Sequence, residues 1–469
     1  MSENHYHTVI LGSGEAAKLL SWTLSSPPHN LRTAVIESAD KYGGSCPTIA
    51  CMPSKNFVYS AEIAHLAKKY ASTGLLKGQY DGVNMAAVLQ RKTEMVQGLV
   101  TDFRGISDKS GAKIIMGHGR LLGDAKVEIE LREGGKKVLT ADNIVICTGS
   151  RAKLDDTPGL QEAKPLTHVG LLELNKVPKH LIILGGGYVG LEFAQAFRRF
   201  GAKVSVIERN ERVLKHEDDD VADALVDILK SEGVEFHTST SISKISGTSG
   251  TKVTLAGTQS GKQWEISGSD ILVASGRVPN TSDAGLSAAG VELTSTGFVK
   301  VNEYLETSAL KVFATGDCAG TPMFTHMGWD DFRVVLDVLL DKQPRRTTKG
   351  RQVPYTLYTN PELAHIGLSE KAAQKAGVKY RLSKLPMAHF LRTRAMDSIE
   401  GFAKVLVSAE DDMILGFTAL GTNAGELLPV VQLAMAHGLP HTSISGLIVT
   451  HPTVNEGLVE LFGSVPDQS

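Results

Sequence analysis

Two cysteines with redox potential lie in a glycine-rich block near the amino end. Cys46 and Cys51 are separated by four residues in GGSCPTIACMPSK, residues 43–55. With no second pair nearby, this spacing is unlike a structural zinc site, but the sulfurs can bridge if the backbone bends. A helix-like run follows, and a helix amino end favours thiolate over thiol. The pattern favours a redox disulfide, and the alternative is two unrelated buried thiols.

A histidine and a glutamate near the carboxyl end could form a proton-transfer pair. His451 and Glu456 lie five positions apart in VTHPTVNEG, residues 449–457. A carboxylate bound to one ring nitrogen fixes the imidazole tautomer and raises its basicity, so that the ring can accept a thiol proton. The alternative is a histidine held by structural hydrogen bonds.

Two glycine-rich turns could each bind the pyrophosphate of a dinucleotide. HTVILGSGEAAKLL and HLIILGGGYVGLEF begin at His7 and His180 and match through strand, turn and helix. The first glycine makes a tight turn, the second lets backbone N–H groups approach pyrophosphate, and the last small residue packs helix on strand. One such motif could be a loop without a ligand, but its repetition predicts two dinucleotide sites. The motif residues are Gly12, Gly14 and Ala17, then Gly185, Gly187 and Gly190.

An acidic residue follows each glycine turn at the end of a β-rich run. Glu37 lies in TAVIES and Glu208 in VSVIER, about 20 residues beyond the turn, where a carboxylate binds a ribose diol. Because a carboxylate repels a 2′-phosphate, Glu208 favours NADH over NADPH. Arg209 and Arg212 could instead hold that phosphate, or they could be solvated surface residues.

Further strands are predicted after each repeat. IVICTGSR (144–151) and ILVASGR (271–277) are predicted to be the closing edges of the two sheets. The extended run TSALKVFATGD (307–317) brings Asp317 to a strand end, and a helix is predicted from His326.

The last part of the chain is predicted to be a separate domain. Residues 341–352 are charged, contain turn formers and lack an apolar period, which predicts a linker. From Val353 onwards, two strand-like runs alternate with two helical ones, which is typical of an α+β domain.

The composition excludes several classes of protein. The chain has 469 residues and a formal net charge of −2, so no overall positive field exists to bind nucleic acid. Its four cysteines are too few for a secreted disulfide framework. No apolar run is long enough to span a bilayer. We therefore expect a cytoplasmic location, no membrane partner and no resident metal.

Taken in order, these motifs resemble those of the flavoprotein disulfide reductases of the pyridine-nucleotide family. The resemblance rests on the first glycine unit with Glu37, the GGSC....C.PSK block, the second glycine unit with Glu192, the ATGD sequence ending at Asp317, and HPTVNEG. It extends from His7 to Phe462. The family includes dihydrolipoamide dehydrogenase, glutathione reductase and mercuric reductase.

The resemblance implies roles for several residues near a flavin. Cys51 would face the isoalloxazine as a thiolate, and Cys46 would exchange with substrate. Lys55 and Glu192 match an ion pair beside the reactive flavin nitrogen. Tyr188 matches a residue that covers the flavin until nicotinamide displaces it. The alternatives for these last three are a helix-surface lysine, a turn acid and a packing aromatic.

The resemblance also implies how two cofactors are held. The first glycine unit would bind FAD, Asp317 would hold its ribityl chain, and the second unit would bind NAD(P)H. Cys147 and Cys318 are expected to be buried or structural thiols. Further cofactor-binding candidates lie beside the turns and strand ends: Gly44, Lys55, Thr148, Gly149, Gly276 and His326.

The predicted fold class is α/β, with two Rossmann-like dinucleotide-binding domains and a carboxyl-terminal α+β dimerisation domain. Residues 1–150 would form the first part of the FAD-binding domain, 151–275 the NAD(P)H-binding domain, 276–345 the second FAD part, and 346–469 the interface domain. In the family the His–Glu pair completes the other subunit's active site, so the resemblance implies a homodimer with shared sites.

The predicted activity is that of an NAD(P)H-dependent flavoprotein disulfide oxidoreductase acting on a small disulfide or another small acceptor. Pro47 and Ala50 depart from the TCLNVGC.PSK pattern of dihydrolipoamide dehydrogenases, and the tail cysteines of mercuric reductases are absent. One alternative is a flavin diaphorase that reduces quinones or metal ions such as Hg or Cu. Another is a non-catalytic nucleotide-sensing protein.

Overall fold

The structure, a computed structural model, describes residues 3–468. The chain forms two compact units. Unit 1 comprises Met1–Asn56, Ala86–Lys153 and Gly276–Arg351, and unit 2 comprises Phe57–Met85, Leu154–Ser275 and Gln352–Ser469.

The strands, in chain order, are β1 (His5–Leu11), β2 (Thr33–Glu37), β3 (Lys113–Gly123), β4 (Lys126–Leu131), β5 (Lys136–Ile146), β6 (Ser150–Ala152), β7 (His180–Leu184), β8 (Lys203–Ile207), β9 (Val234–His237), β10 (Thr240–Thr248), β11 (Lys252–Gln259), β12 (Lys262–Gly268), β13 (Asp270–Val273), β14 (Arg277–Pro279), β15 (Val312–Ala314), β16 (Tyr355–Leu357), β17 (Glu362–Gly367), β18 (Tyr380–Pro386), β19 (Phe402–Ser408) and β20 (Ile414–Gly421).

The α-helices are α1 (Glu15–Ser25), α2 (Ser45–Thr48), α3 (Cys51–Ser72), α4 (Met85–Ser110), α5 (His168–Leu171), α6 (Tyr188–Phe200), α7 (Asp219–Ser231), α8 (Thr325–Leu339), α9 (Glu370–Ala376), α10 (Leu391–Ala395), α11 (Ala424–Ala436), α12 (Thr442–Ser445) and α13 (Glu456–Gly463). Short 3-10 helices span Ser287–Ala289, Gly316–Ala319 and Met387–His389.

Unit 1 contains a six-stranded sheet built around β1. This strand pairs in parallel with β2 and β5, while β3 pairs in parallel with β2, and β15 with β5. The strands β3, β4 and β5 also form an antiparallel meander. Leu11 is in register with Ile36 and with Ile146. The residues that follow these three strand ends therefore meet at one edge of the sheet, as in other parallel α/β sheets.

Unit 2 repeats the strand–helix–strand arrangement in a smaller parallel sheet of order β13–β7–β8–β9. Leu184 is in register with Ile207 and with Val273. The helix α6 between β7 and β8 ends at Gly201, whose φ of 108° is the left-handed conformation common after a helix end. A three-stranded antiparallel sheet of order β10–β11–β12 follows.

The carboxyl-terminal part of unit 2 is a five-stranded antiparallel sheet of order β16–β17–β20–β19–β18. Its buried core includes Phe417 of β20 and Phe462 of α13, whose ring centroids lie 6.4 Å apart. Helix α11 also contributes to this core, through Leu427 and Val431. The predicted α+β domain is thereby confirmed, and so are both strand–turn–helix repeats and the irregular segment after α8.

Two predictions about the sheet of unit 1 are wrong in part. The strand that precedes Cys147 is not an edge, because β15 pairs with its other side; the corresponding strand of unit 2, β13, is an edge. The extended run predicted over 307–317 shrinks to Val312–Ala314. Lys311 has a φ of 60°, a left-handed conformation outside the range of extended β backbone.

Among residues 3–468, no helix combines the length and the apolar character that a bilayer crossing requires. The cytoplasmic location stays a prediction.

A buried lysine joins three acidic side chains within unit 2. The Lys404 ammonium is fully buried and lies 2.8 Å from Asp218, 2.8 Å from Asp220 and 2.7 Å from Glu370. Burial alone would raise the pKa of Asp218, but hydrogen bonds from the Lys371 amide, from Lys404 and from the Glu370 amide lower it. The ammonium thus offsets part of the negative charge of a group of acids that could otherwise attract a metal ion.

We expect Lys404→Met to destabilise unit 2 strongly, because it removes the buried ammonium that contacts all three carboxylates. Removing one partner of a buried ion pair costs about 3–5 kcal/mol. The loss is measured as the change in free energy of unfolding in urea, and it should shrink at low pH, where the carboxylates become protonated. Lys384→Met is the control, because Lys384 is partly exposed and its ammonium contacts one of the three acids, Asp220; the expected cost of losing this ion pair is about 0–1 kcal/mol. Equal costs for the two variants would contradict this account.

Candidate active site

The two cysteines of the sequence block lie on successive short elements of unit 1. Cys46 is in α2, and Cys51 is the first residue of α3. Between them the backbone turns back on itself, with the Ile49 and Ala50 amides both donating to the Ser45 carbonyl, at 3.0 and 2.8 Å. This is the bend that a bridge between the sulfurs requires. The two side chains are within hydrogen-bond contact as thiols.

The environment of the pair distinguishes the two sulfurs. The hydrogen bond with Cys51, together with burial, raises the pKa of Cys46. Cys51 instead lies at the amino end of a 22-residue helix, whose dipole favours a negative charge there. The Thr325 hydroxyl lies 3.3 Å from the Cys51 sulfur and also contacts Cys46, so it does not distinguish the two. A dithiol with a single negative charge therefore carries the proton on Cys46 and the charge on Cys51.

The first glycine turn follows β1 in unit 1 and needs glycine at its first position. Gly12 has a φ of 93°, and a Cβ there would lie 2.3 Å from the Cys147 carbonyl oxygen. Ala17 is fully buried against the sheet. Cys147 is buried, which raises the pKa of its thiol to about 12, and Cys318 is also buried. Both thiols therefore have the buried surroundings that the sequence predicts.

Ser13, in the middle of this turn, joins it to the cysteine loop. Its hydroxyl donates to the Glu37 carboxylate and accepts hydrogen bonds from the Gly43 amide at 2.8 Å and the Gly44 amide at 3.0 Å. Gly44 has a φ of 78°, and a Cβ on it would lie 2.7 Å from the Gly14 Cα. The loop before Cys46 therefore packs backbone to backbone on the turn.

The acid of the first repeat is held by backbone amides. Glu37 accepts from the Ser13 amide at 3.0 Å on Oε2 and from the Ala39 amide at 2.6 Å on Oε1. These hydrogen bonds fix the carboxylate beside the glycine turn. A carboxylate has about four acceptor positions, so with three of them used Glu37 retains about one for a ribose hydroxyl.

The second repeat in unit 2 reproduces this geometry. Glu208 accepts from the Gly186 amide at 2.9 Å on Oε2 and from the Asn210 amide at 2.9 Å on Oε1. Gly185 has a φ of 107°, and a Cβ there would lie 2.6 Å from the Ala274 carbonyl oxygen. Gly190 is equally constrained, because its Cβ would lie 2.1 Å from the Gly185 carbonyl oxygen.

These two turns fit the dinucleotides that the sequence predicts. Each glycine-constrained turn leads into a helix, α1 or α6, with Gly14 or Gly187 as its N-cap and no side-chain cap. The first amides of such a helix form an anion site suited to pyrophosphate. With a fixed carboxylate beside each turn, the residues fit FAD in unit 1 and a nicotinamide dinucleotide in unit 2.

Other predicted cofactor residues of unit 1 lie close to strand ends, except for His326, which is in α8. Asp317 accepts from Ser150 and pairs with Arg277 at 3.2 Å. Thr148 donates to the Asn280 carbonyl at 2.7 Å. The remaining positions are Gly149, which accepts from the Asn280 amide at 2.9 Å, Gly276, which accepts from the Lys153 amide at 3.0 Å, and His326, stacked on Phe324 at 5.4 Å between ring centroids.

Three residues with implied roles near a flavin lie in different units. Lys55 is in the part of α3 that belongs to unit 1. In unit 2, Glu192 is buried in α6 and accepts from the Tyr358 amide at 3.0 Å. Tyr188 is the first residue of α6, and its hydroxyl donates to Glu217 at 2.7 Å. An ion pair between Lys55 and Glu192 stays a prediction.

The histidine and glutamate of the carboxyl-terminal motif are paired. His451 Nδ1 lies 3.0 Å from both Glu456 carboxylate oxygens. Because a carboxylate only accepts hydrogen bonds, Nδ1 carries the proton in the neutral ring, and Nε2 is left as the base. The His451 side chain is 63% exposed in this chain. The ring can therefore serve a group presented from outside.

The sequence did not single out Ser13, Thr325, Glu217 or Tyr355. Ser13 differs from Gly186 at the matching position of the repeat, and that difference was the available signal. Thr325 lies one residue before the predicted helix start, so only its distance to Cys51 reveals it. Glu217 and Tyr355 are 138 positions apart, and no local pattern joins them.

Comparison with known families agrees with this geometry. A sequence model of the pyridine nucleotide-disulphide oxidoreductase family matches residues 6–331. The dimerisation domain of the same family matches residues 353–462.

Individual relatives match over nearly the whole chain. RclA of Escherichia coli is 31% identical over 465 residues, which is 98% of this chain and 100% of the relative. Mitochondrial dihydrolipoyl dehydrogenase of Dictyostelium discoideum is 29% identical over 98% of this chain and 94% of its own. A solved Cu(II) complex of the HOCl-induced flavoprotein disulfide reductase RclA from Escherichia coli superposes with a TM-score of 0.90, at 31% identity, over 99% of this chain and 100% of that one.

We expect Gly44→Ala to separate the cysteine loop from the first glycine turn, because its Cβ would collide with Gly14. Left-handed strain costs about 1 kcal/mol, and the collision adds about 1–3 kcal/mol. The readouts are the free energy of unfolding and the flavin content of the purified protein. Gly74→Ala is the matched control, since Gly74 has a φ of 77° with no atom within 4 Å of its Cβ position. If both variants lose equal stability and retain flavin, the contact between Gly44 and Gly14 does not hold the cysteine loop on the glycine turn.

Proposed function

Because this chain belongs to the pyridine nucleotide-disulphide oxidoreductase family, whose members are NAD(P)H-dependent flavoprotein oxidoreductases, we propose that it transfers electrons from NADH to a small disulfide through Cys46 and Cys51. The observation that carries the proposal is the contact between these two sulfurs, with Cys51 at a helix amino end. Membership of an oxidoreductase family argues against the alternative that the chain is a non-catalytic nucleotide-sensing protein.

The chain's own residues would hold both cofactors. Gly12, Gly14 and Glu37 would bind the pyrophosphate and ribose of FAD, and Asp317 its ribityl chain. The glycine turn of α6 and Glu208 would bind NADH. Bound FAD supplies a two-electron carrier between the reduced nicotinamide and the disulfide.

The cysteines carry out the exchange with the acceptor. Reduction of their disulfide by two electrons and two protons gives the dithiol. The Cys46 thiolate attacks one sulfur of the acceptor, a mixed disulfide forms, and the first acceptor thiol leaves. Cys51 then attacks the Cys46 sulfur, which restores the disulfide and releases the second thiol. Because the pKa of Cys46 is raised by its hydrogen bond with Cys51 and by burial, this sequence needs a base to start it.

We assign that base to His451, with Glu456 holding its ring. Nε2 would accept the Cys46 proton and return it to the departing thiolate. The proposed arrangement is a homodimer in which His451 of one chain serves the cysteines of the other, with 346–469 as the interface domain. The dimerisation match supports this, and so do two exposed apolar residues shortly before His451 in the chain, Leu447 and Ile448.

Two further residues are assigned to the nicotinamide step. Lys55 and Glu192 would form the ion pair next to the reactive flavin nitrogen. Tyr188 would cover the flavin until nicotinamide enters. Its place supports this role, because it directly follows Gly187 at the amino end of α6, one residue along the chain from the proposed pyrophosphate contact.

A second candidate function is reduction of Cu(II) by the same pair. Oxidation of one dithiol to a disulfide releases two electrons and two protons, which suffice to convert two Cu(II) to two Cu(I). The solved relative in complex with Cu(II) favours this candidate, and vicinal thiols are soft ligands that suit Cu(I).

The test is an anaerobic titration of the purified protein with NADH, compared with Cys46→Ser and Cys51→Ser. Cys46→Ser should show long-wavelength thiolate-to-flavin absorbance before any NADH is added, because the Cys51 thiolate remains. Cys51→Ser should lack this absorbance. Both variants should lose turnover with lipoamide and glutathione disulfide. Cys318→Ser is the control thiol, because Cys318 is buried among backbone carbonyls.

The outcomes separate the two candidates. Disulfide turnover that survives in Cys46→Ser contradicts the exchange role of Cys46. Cu(II) reduction without turnover of either disulfide would favour the second candidate. A purified chain that retains no flavin would contradict both.

We propose NADH as the physiological donor, because the buried Glu208 carboxylate lies at the ribose position while Arg212 pairs with Asp219 and Asp223 at the surface. We expect kcat/KM to be at least about tenfold higher with NADH than with NADPH, a difference of about 1.4 kcal/mol. Glu208→Gln should narrow this ratio.

Glu235→Gln is the control for that measurement. Glu235 lies in the same sheet, on β9, and pairs with Lys203 and Ser205 of the neighbouring strand β8. A wild-type preference for NADPH would overturn the assignment, and so would an unchanged ratio in Glu208→Gln.

A further inference from the structure

One buried carboxylate in unit 2 binds two tyrosine hydroxyls. Glu217 Oε1 accepts from Tyr188 at 2.7 Å and from Tyr355 at 2.8 Å. The two rings lie 5.5 Å apart with an interplanar angle of 30°. Glu217 is only 2% exposed. A buried carboxylate is costly without donors, so this carboxylate constrains the Tyr188 side chain.

Tyr355, the second tyrosine bonded to Glu217, is anchored in the carboxyl-terminal sheet. Tyr355 begins β16, and its ring lies 5.1 Å from the His365 ring of β17. His365 is itself held by Thr418 at 2.8 Å and by the Gly367 carbonyl at 3.0 Å. Tyr355 therefore belongs to a fixed framework, and Tyr188 is the member at the amino end of α6.

The backbone of Glu217 is also held. The Lys371 ammonium donates to the Glu217 carbonyl oxygen at 2.6 Å, and the Glu217 amide donates to the Leu214 carbonyl at 2.8 Å. Burial, and then the charge of Glu217, raise the pKa of both tyrosines. Both phenols consequently remain neutral hydrogen-bond donors at physiological pH.

We propose that Glu217 is a positioning residue that sets the affinity for reduced nicotinamide by holding the Tyr188 hydroxyl. This inference rests on the proposed function, in which Tyr188 moves when nicotinamide enters. Movement of the ring must break the hydrogen bond to Glu217, so part of the binding free energy of the nicotinamide half is spent on that release. The adenosine and pyrophosphate half binds without moving the phenol.

The test measures binding of two non-reducing probes to the flavin-loaded protein by calorimetry. One probe is 1,4,5,6-tetrahydro-NAD, which carries a nicotinamide-like ring, and the other is ADP-ribose, which lacks it. Tyr188→Phe deletes only the hydroxyl, and Glu217→Gln removes only the charge. Because nicotinamide binding no longer has to break the full charge-assisted hydrogen bond, each variant should lower the Kd for tetrahydro-NAD about three- to tenfold, a difference of about 0.6–1.4 kcal/mol. The Kd for ADP-ribose should stay unchanged.

Two further variants separate this role from a general loosening of the structure. The double variant of Tyr188→Phe and Glu217→Gln should show no more tightening than Tyr188→Phe alone, because both substitutions act on the same hydrogen bond, which Tyr188→Phe already removes. Tyr355→Phe leaves Glu217 with Tyr188 as its remaining tyrosine donor, so the Kd for tetrahydro-NAD should not fall. Tightening by Tyr355→Phe equal to that of Tyr188→Phe would overturn the proposal. An equal change for both probes would overturn it too.

Failure of this proposal and of the proposed function would look different. If neither probe binds, or if Tyr188→Ala leaves tetrahydro-NAD binding unchanged, the assigned function of the site or of Tyr188 is wrong. If Tyr188→Ala changes the Kd but Tyr188→Phe and Glu217→Gln do not, only the role of Glu217 is wrong.

Discussion

The tightest packing contact described in unit 1 between the proposed redox and cofactor residues joins the cysteine loop to the first glycine turn. Gly44 can approach the Gly14 Cα only because neither residue has a side chain in the way. The Ser13 hydroxyl completes the contact, since it accepts from the Gly43 and Gly44 amides while donating to Glu37. The position of the cysteine loop and that of Glu37, the proposed ribose-binding acid, are thereby coupled through one serine.

The two glycine turns hold their acidic residues in the same way, but the middle residue of the turn differs between them. In both units, the acid at the end of the second strand accepts a hydrogen bond from an amide of the glycine turn. It accepts another from the amide two residues after the acid itself. The second unit has Gly186 where the first has Ser13. The hydroxyl is needed only in the first unit, because the cysteine loop packs on that turn.

The charged groups of unit 2 have two distinct uses. Lys404 is enclosed by Asp218, Asp220 and Glu370, and its ion pairs are shielded from water, so they affect stability. The His451–Glu456 pair is exposed, which leaves an imidazole nitrogen accessible to another molecule. Glu217 is buried like Lys404, but it accepts a hydrogen bond from Tyr188, a residue at the edge of the proposed nucleotide site.

The sequence by itself determined the two strand–turn–helix repeats, the cysteine block, the His–Glu motif and the α+β character of the last part of the chain. These features depend on local periodicity, on glycine at positive φ and on short spacings, all of which are written in contiguous residues. Only the tertiary structure decided that β15 extends the first sheet and that Thr325 contacts Cys51. It also decided that Tyr355 shares Glu217 with Tyr188. These contacts join residues more than a hundred positions apart, and their partners are selected by how sheets and helices pack, which no local pattern records.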